Sequence, residues 1–340
     1  MYILGLSAFG HDPAAALVGE QGVVAAIEEG KLARSRSFGG IPREAIRFCL
    51  DRAGIDWRDL DSVAIAGRIG RAWMRKALFR ARLAPLSPVS SGYYFNKAFG
   101  ELGRELNNSR ILREMAGGRK DRIEVFDHHL SHAASAYYAS SFDRALIVAL
   151  DEQGDGQSGF VGIGEGSRIR KIASISFPHS LAWVFTQITK LFGFHTHADE
   201  HKTQWMSLSG EPVHANLFLE MLRRSPKGPP RLNAQYFQRS FAGELSFTDE
   251  FYRRLGIPRS SWPQPSGPQL DDPQRASIAA SLQRACAVVL NEWFESLRNQ
   301  TGLHSLCLAG GLFLNPLLVA AVEKGAGFDQ IFVQPAAGNE

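Results

Sequence analysis

A pattern of short apolar runs separated by glycine- and aspartate-containing turns occurs twice, and it constrains the fold more than any other feature of the chain. Its first copy is Tyr2–Ser7, Ala14–Val18 and Val23–Glu28, and its second is Ala145–Leu150, Ser158–Ile163 and Ile169–Ser176. Apolar runs of this length between turn residues are typical of β-strands. The repetition predicts two α/β lobes of one plan, with a ligand between the two copies.

Helical patterns and further strands follow each meander. Pro42 opens a helix that ends at Gly54, and Asp272-Pro273 opens a longer one that ends near Gly302. A last helix is predicted over Leu312–Lys324. The remaining predicted strands are Ser62–Ala66, Arg122–Phe126, Ser305–Ala309 and Gln330–Val333. We therefore place the first lobe at residues 1–144 and the second at residues 145–340.

Composition indicates a globular protein with room for two domains. The chain has 340 residues, of which 44% are hydrophobic and 21% charged, and its formal net charge is only +4. This charge permits anionic ligands but gives no case for nucleic acid. The N-terminus lacks a signal-peptide pattern, and the longest apolar stretch, Leu306–Val322, is interrupted by turn residues. We expect a cytoplasmic protein that does not enter a membrane.

Three cysteines and one basic segment limit the chemistry further. Cys49, Cys286 and Cys307 lie far apart in apolar contexts, which indicates buried thiols in a reducing compartment. The segment Arg68–Arg82 mixes six cations with aromatic and aliphatic residues, as a membrane- or nucleic-acid-binding helix would. We favour a surface insertion near residues 68–120 with a solvated basic face. No second basic segment supports binding to a membrane or to nucleic acid.

Two histidines four residues apart indicate a metal site. His128 and His132 follow the predicted strand Arg122–Phe126. Residues four apart share one face of a helix, so both imidazoles can point at one ion. The alternative is that each histidine is a helix cap or a core residue bonded to a backbone carbonyl.

Several turns carry residues suited to phosphate or acid–base chemistry. The turn Gly10–Asp12 offers His11 as a base, although an Asp-Pro turn that stabilises itself is an equally ordinary structure. The Asp151–Gly156 turn could approach phosphates and hold Mg²⁺ through an aspartate, or be a plain β-turn. Gly310-Gly311 lies between a predicted strand and a predicted helix. This arrangement is typical of phosphate or nucleoside sites, and the alternative is that the glycines only allow the strand and helix to pack closely. His195–Lys202 could serve acid–base chemistry or a second metal, or form an exposed loop.

Taken in order, these segments resemble the carbamoyltransferases of the nodulation-protein and antibiotic O-carbamoyltransferase type. The resemblance spans essentially the whole chain. The matching segments are Gly10–Asp12, Ala14–Val18, Ala25–Glu29, His128–Tyr137, Asp151–Gly156, Asp199-Glu200 with Lys202, Leu208–Pro212, Ala309–Gly311 with Asn315, and Gln334–Gly338. Motifs in a shared order are far more specific than any single one.

The resemblance implies an α/β fold of the actin-like ATPase type, with two ribonuclease-H-like lobes around a nucleotide cleft. It implies transfer of a carbamoyl group from ATP-derived carbamoyl-adenylate to a hydroxyl of a small natural-product or sugar acceptor. Longer members carry a YrdC-like domain that makes the adenylate from carbamoyl phosphate and ATP. Because the chain stops at Glu340, inside the last motif, we expect a truncated second lobe and a missing or separate YrdC-like domain. The isolated chain would then be inactive or partial; a homodimer is a further expectation.

The resemblance also implies roles for individual residues. His128 and His132 would hold a divalent metal, expected to be iron, with Asn339 as a third ligand. The adenylate, with Mg²⁺ as an additional candidate ion, would be bound by Asp151, Gly154, Gly156, Asp199, Lys202, Gly310, Gly311 and Asn315. The reacting carbamoyl group would lie near His11, Asp12 and Arg36.

Two departures from the family pattern keep other functions open. Asn339 stands where the family often has an aspartate, and Arg36 where it usually has a lysine. Both departures fit a degenerate nucleotide-binding paralogue without catalytic activity. A relative that transfers threonylcarbamoyl groups to tRNA would share the fold and the histidine pair. The weak basic character and the Asp151–Gly156 segment argue against that relative.

Overall fold

The structure, a computed structural model, divides into two units that are described separately. It describes residues 1–8, 12–34, 40–67, 110, 122–222, 228–239, 245–259 and 270–339. The first unit comprises Met1–His132, Gly154–Gly156 and the end of the chain from Gly338. The second comprises Ala133–Gln153 and Gln157–Ala337. None of the helices in the described ranges combines the length and apolar character that crossing a bilayer requires.

A mixed sheet forms the first unit. Its described strands are β1 (Ile3–Ser7), β2 (Ala14–Gly19), β3 (Gly22–Glu28), β4 (Ser62–Ala66) and β5 (Ile123–Phe126). They lie in the order β3-β2-β1-β4-β5, with the predicted antiparallel meander on one side and parallel β4 and β5 on the other. Helices α1 (Glu29–Ala33) and α2 (Arg43–Ala53) follow the meander, and α2 packs on β2 and β3. Leu4, Leu17 and Ile46 are fully buried between them.

A buried carboxylate begins α2. Pro42 precedes the helix and provides no side-chain cap, so the first N–H groups need another acceptor. The Glu29 side chain, only 2% exposed, accepts hydrogen bonds from the backbone N–H groups of Glu44 (3.1 Å) and Ala45 (2.8 Å). Glu29 therefore fixes the start of α2 from a different helix, at the positive end of its dipole.

Replacing Glu29 by alanine should lower the free energy of unfolding by about 2–3 kcal/mol, because one buried and one partly buried N–H group lose a charged acceptor. Glutamine, which offers one amide oxygen, should recover part of that loss. The measurement is urea unfolding of the three proteins. Glu44→Ala is the matched control, since that side chain is exposed in the same helical turn and should change stability by at most about 0.5 kcal/mol. Equal effects at the two positions would contradict the capping role.

The second unit repeats the sheet of the first. Its five described sheet strands are β6 (Arg144–Gly154), β7 (Gln157–Glu165), β8 (Arg168–Ser176), β11 (Ser305–Ala309) and β12 (Gln330–Val333), and a separate pair is β9 (Phe237–Arg239) with β10 (Leu245–Phe247). The sheet order is β12-β11-β6-β7-β8, with β11 parallel to both β6 and β12. Residues 145–150 of β6 are all buried, as expected for a central strand with covered faces.

Helices cover the second sheet and contribute most of its core. The described helices are α4 (Leu181–Leu191), α5 (Glu200–Met206), α6 (Ala215–Met221), α7 (Asp249–Leu255), α8 (Asp272–Thr301) and α9 (Pro316–Gly325). The longest, α8, starts at the predicted Asp272-Pro273 and ends at Gly302, and it is capped by a capping box of Asp271 and Gln274. A further helix, α3 (His128–Tyr137), contains the division between the units.

The two sheets share one topology. In each, a meander of three strands is followed by two parallel strands that add beside the first strand, which gives the order 3-2-1-4-5. This repetition is the duplicated ribonuclease-H-like architecture of the actin-like ATPase fold, so the predicted fold class is confirmed. The second sheet begins at Arg144, whereas the division between the two units lies earlier, between His132 and Ala133. The lobe bounds 1–144 and 145–340 stay a prediction.

One predicted helix is wrong at its start. The sequence predicts a helix over Leu312–Lys324, but the structure has a short 3₁₀ turn at Gly311–Leu314 and begins α9 only at Pro316. The Asn315 side chain accepts hydrogen bonds from Leu317 N and Leu318 N, so it caps α9 and separates the two elements. The three cysteines are free and buried, as predicted. The predicted basic segment Arg68–Arg82 lies outside the described residues.

Stability of the second unit should fall as the pH falls below about 6.5, the ordinary histidine value. Burial, with Arg231 nearby, lowers the pKa of His179, whose Nδ1 accepts a hydrogen bond from Leu232 N. A folded-state pKa below the unfolded one means that the stabilisation is complete above pH 6.5 and lost on acidification. His179→Asn, whose oxygen can replace Nδ1 as acceptor, should weaken this pH dependence. Urea unfolding at pH 5.5 and 7.5 measures it, and an unchanged slope in the variant would contradict the assignment.

Candidate functional site

In the first unit, the start of α3 is fixed by two aspartates. The Oδ1 atom of Asp127 accepts a hydrogen bond from Leu130 N at 3.2 Å, the usual contact of an N-cap residue. The Oδ2 atom of Asp155, on the turn between β6 and β7, accepts from His128 N at 2.9 Å. Two of the N–H groups that a helix start leaves unsatisfied therefore have carboxylate partners, and the histidines that follow are held in the first two helical turns.

His128 and His132 converge as the sequence predicts. Their Nε2 atoms are 3.2 Å apart, and the two rings meet edge to face at a centroid distance of 4.7 Å. His132 is only 7% exposed, and the intervening His129 is fully buried with its ring against both neighbours. The i, i+4 spacing thus places two nitrogen donors at one point on a largely buried helix face.

The donor pair fits a transition-metal ion. A bond from a metal ion to an imidazole nitrogen is about 2.1 Å long. For two nitrogens 3.2 Å apart, the nitrogen–metal–nitrogen angle would be about 100°, which lies within the range of tetrahedral and octahedral sites. The same separation also allows one imidazole to donate a hydrogen bond to the other. Imidazole nitrogens suit zinc, copper, iron and nickel, so the donor set does not choose between these metals.

Gly154 provides the space that the His128 ring occupies. A Cβ atom at position 154 would lie 2.0 Å from Cδ2 of His128, far inside contact distance. The next two residues, Asp155 and Gly156, have φ angles of 52° and 76°, as in a two-residue hairpin turn with both central residues in the left-handed region. This hairpin tip both clears room for the ring and caps its helix.

In the second unit, three of the predicted phosphate-binding residues, Asp151, Gly310 and Gly311, meet beside the end of β11. Asp151 is 6% exposed, and its backbone carbonyl accepts a hydrogen bond from Ser180 Oγ, the N-cap of α4. A Cβ atom on Gly311 would lie 3.0 Å from the Asp151 carboxylate. One on Gly310 would lie 2.2 Å from the carbonyl oxygen of Leu150. The double glycine therefore lets the chain leave β11 directly beside Leu150 and the buried Asp151 carboxylate of β6.

Asn315 is engaged in structural contacts. Besides capping α9, its Nδ2 donates a hydrogen bond to Gln283 Oε1 at 2.9 Å, and Gln283 Nε2 donates back to Asn315 Oδ1 at 3.3 Å. The side chain is 2% exposed. This reciprocal amide pair joins α8 to the start of α9. A direct role in nucleoside binding stays a prediction.

The segment His195–Lys202 forms a local network of polar contacts. The Lys202 ammonium lies 2.9 Å from Asp199 Oδ1, and His195 N donates to Asp199 Oδ2; together they hold the pKa of the Asp199 carboxyl below its usual value. Asp199 is 4% exposed, whereas the Lys202 side chain is 44% exposed. These contacts order the segment, and the nucleotide-binding role of both residues stays a prediction.

Of the remaining predicted site residues, the structure describes Asp12 and Asn339. His11 and Arg36 lie outside the described residues. Asp12 has a left-handed backbone with φ 57°, a conformation that aspartate adopts more readily than most residues. Asn339 belongs to the unit that contains His128 and His132. Just before it, the Gln334 amide donates a hydrogen bond to the carbonyl of Ser135 in α3 at 2.7 Å, which attaches the last motif to that helix.

The sequence interpretation missed Asp155 and Ser180. Asp155 stands between two glycines that were assigned to nucleotide binding, yet it is the acceptor for the helix that carries the histidines. The Asp-Gly pair between two apolar runs is a strong hairpin signal, but which helix its carboxylate caps depends on tertiary structure. Ser180 gave only the ordinary signal of an N-cap residue.

The fold and the site place this chain in a broad class: α/β proteins with a duplicated ribonuclease-H-like fold. Its candidate metal site is the histidine pair at the start of α3. Residues 2–340 match the sequence family described as "Carbamoyltransferase N-terminus", and the chain belongs to this family.

Similar proteins extend beyond the region that this chain covers. An uncharacterized protein of Synechocystis sp., sll1178, is 30% identical over 99% of this chain and 55% of its own length. The nodulation protein NolNO of Sinorhizobium fredii is 31% identical over 97% of this chain and 44% of its own length. The chain thus spans about half the length of these relatives. Among solved structures, component A of the (R)-2-hydroxyglutaryl-CoA dehydratase of Acidaminococcus fermentans is 12% identical, covers 99% of this chain and 93% of its own, and gives a TM-score of 0.47.

Proposed function

We propose that this chain carries the transfer reaction of a carbamoyltransferase, in which a carbamoyl group passes from carbamoyl-adenylate to a hydroxyl of a small natural-product or sugar acceptor. The observation that carries the proposal is the pair of imidazole nitrogens 3.2 Å apart on α3, in a chain that belongs to a carbamoyltransferase family. Such a pair is a ready donor set for a divalent ion.

The histidine pair would hold the metal, for which iron is our expectation, and Asn339 is the proposed additional ligand. A divalent ion bound there would supply positive charge for the adenylate phosphate as it becomes the leaving group. The protein's contribution is to keep both imidazoles pointed at one position. The carboxylate of Asp155, the cleared space at Gly154 and the buried surroundings of His132 all support that role.

In the second unit, Asp151 and the double glycine are the proposed phosphate-binding group. Backbone that passes close to a strand end can direct N–H groups at phosphate oxygens, and glycine removes the side chains that would prevent the approach. The Asp151 carboxylate could contribute through Mg²⁺, which is usually bound by one or two carboxylates together with phosphates. Lys202 adds a cation on α5 with part of its surface exposed.

His11, Asp12 and Arg36 are proposed to act at the carbamoyl group. In the transfer, the acceptor hydroxyl gives its proton to His11 while its oxygen forms a bond to the carbamoyl carbon. The bond from that carbon to the adenylate phosphate breaks, and AMP leaves. The guanidinium of Arg36 would stabilise the negative charge that develops on the carbamoyl oxygen. A YrdC-like domain, in the same protein or separate, would supply the carbamoyl-adenylate.

The test is to supply carbamoyl-adenylate carrying a labelled carbamoyl group, together with a panel of hydroxylated natural products and sugars. We expect AMP release that depends on the acceptor and transfer of label to it. Asp151→Asn should reduce the rate by about 100-fold, the effect of losing one charge-stabilising group. Asp143→Asn, at an exposed carboxylate beside the start of β6, is the matched control and should behave like the wild type.

Two other outcomes would decide against the proposal. Binding of AMP without any acceptor-dependent release, with the labelled group left on the adenylate, would favour a nucleotide-binding paralogue. Failure to bind either AMP or carbamoyl-adenylate would contradict the nucleotide role of the second unit altogether.

A further inference from the structure

We propose that Asp155 is a positioning residue for His128. Its carboxylate fixes the start of α3 so that Nε2 of His128 lies next to Nε2 of His132. This inference rests on the proposed metal-binding role of the histidine pair. It assigns to Asp155 a role separate from binding nucleotide, and it makes the β6–β7 hairpin tip part of the metal site's support.

The position of His128 in its helix creates the need for such support. It is the first residue of α3, whereas His132 lies one turn further along. N–H groups of the first helical turn have no partner within the helix, and helix ends therefore open more readily than helix centres. The two ligands of the pair are thus held unequally by the helix itself, and His128 is the one that depends on an outside contact.

Asp155 provides that contact from the tip of a hairpin. Its Oδ2 lies 2.9 Å from His128 N, and a carboxylate at a helix N-terminus also interacts favourably with the helix dipole. Asp155 and Gly156 both have positive φ, as in a type I′ hairpin turn between two paired strands. Both positions of the two-residue turn are thus in the left-handed region, and within this unit the turn places the Asp155 carboxylate at the start of α3.

The adjacent Gly154 adds a second constraint on the same histidine. The 2.0 Å separation between a Cβ atom at position 154 and Cδ2 of His128 means that the ring lies directly against the hairpin backbone. One residue of the tip therefore holds the backbone of His128 while its neighbour borders the ring. Groups that orient a metal-binding histidine typically change metal affinity 10–100-fold when removed.

The experiment compares Asp155→Gly with Asp155→Asn. Glycine and asparagine both suit the left-handed turn position, so both variants should keep the hairpin and similar melting temperatures. Only asparagine keeps an oxygen that can accept from His128 N. Titration with Co²⁺, followed by its visible absorption, should show about 10–100-fold weaker binding in the glycine variant and near-wild-type binding in the asparagine variant. Amide exchange of His128 in metal-free protein should be faster in the glycine variant alone.

Two results would overturn the inference, and they are distinguishable. If His128→Ala abolishes Co²⁺ binding while Asp155→Gly binds as the wild type does, the positioning role is refuted and the proposed metal pair stands. If His128→Ala still binds Co²⁺ at the wild-type affinity, the metal pair of the proposed function is refuted, and the inference fails with it.

Discussion

Replacing His128 by alanine is expected to weaken the binding of a divalent transition metal by at least about 100-fold, more than the loss of a supporting residue would. The reason is geometric. The pair offers two nitrogen donors 3.2 Å apart, and alanine leaves a single imidazole on α3. His132→Ala should have an effect of similar size. Acceptor-dependent AMP release should fall with metal content in both variants, measured by elemental analysis and by Co²⁺ titration.

The matched control for this prediction is His304→Ala. His304 is exposed, and its Nδ1 lies 3.5 Å from a carboxylate oxygen of Asp329, away from every residue assigned to the site. Its loss should leave metal content and AMP release unchanged. A His128→Ala protein that retains a full complement of metal would show that the two rings are linked only by a hydrogen bond.

Gly310→Ala should reduce the free energy of unfolding by about 4 kcal/mol, because backbone strain and overpacking each cost about 1–3 kcal/mol. The residue has φ 91° and ψ 151°, a combination that essentially only glycine adopts. The added methyl group would also lie 2.2 Å from the carbonyl oxygen of Leu150, in the fully buried centre of the second sheet. Neither backbone can move away without disturbing β6 or β11. Urea unfolding and AMP binding measure the two consequences.

Gly302→Ala is the comparison for an ordinary left-handed backbone without overpacking. Gly302 ends α8 with φ 66°, and nothing lies within 4 Å of a Cβ atom built there. That substitution should cost about 1 kcal/mol. Equal losses of stability at positions 302 and 310 would contradict the larger strain and overpacking expected at position 310.

Most of the fold could be predicted because its signals are local. Strand Ser62–Ala66 and strand Ser305–Ala309 have the predicted bounds, and α8 begins at the predicted Asp272-Pro273 and ends at the predicted Gly302. Alternation of apolar residues, turn residues and capping residues all act within a few positions of the chain. The helix predicted from Leu312 is wrong at its start because Asn315 caps α9 and Pro316 is its first residue, a local signal that the prediction overlooked.

The candidate site was predicted in part for the same reason. The i, i+4 spacing of His128 and His132 is a local property of one helix, so their convergence followed directly from the sequence. The partners of that helix did not, because Asp155 reaches His128 from 27 positions further along the chain. The roles of Asp151, Gly310 and Gly311 were inferred from motif resemblance, whereas their contact depends on the parallel pairing of β11 with β6.

By itself, the sequence determined the class of fold, the duplicated strand pattern and the histidine pair, because periodicity and i, i+4 spacing are fixed by backbone geometry within a few residues. Only the tertiary structure decided which distant carboxylates cap α2 and α3, and which glycine clears room for the His128 ring. Those contacts join residues 15 to 27 positions apart, and local patterns carry no information about which buried N–H group a distant carboxylate will meet.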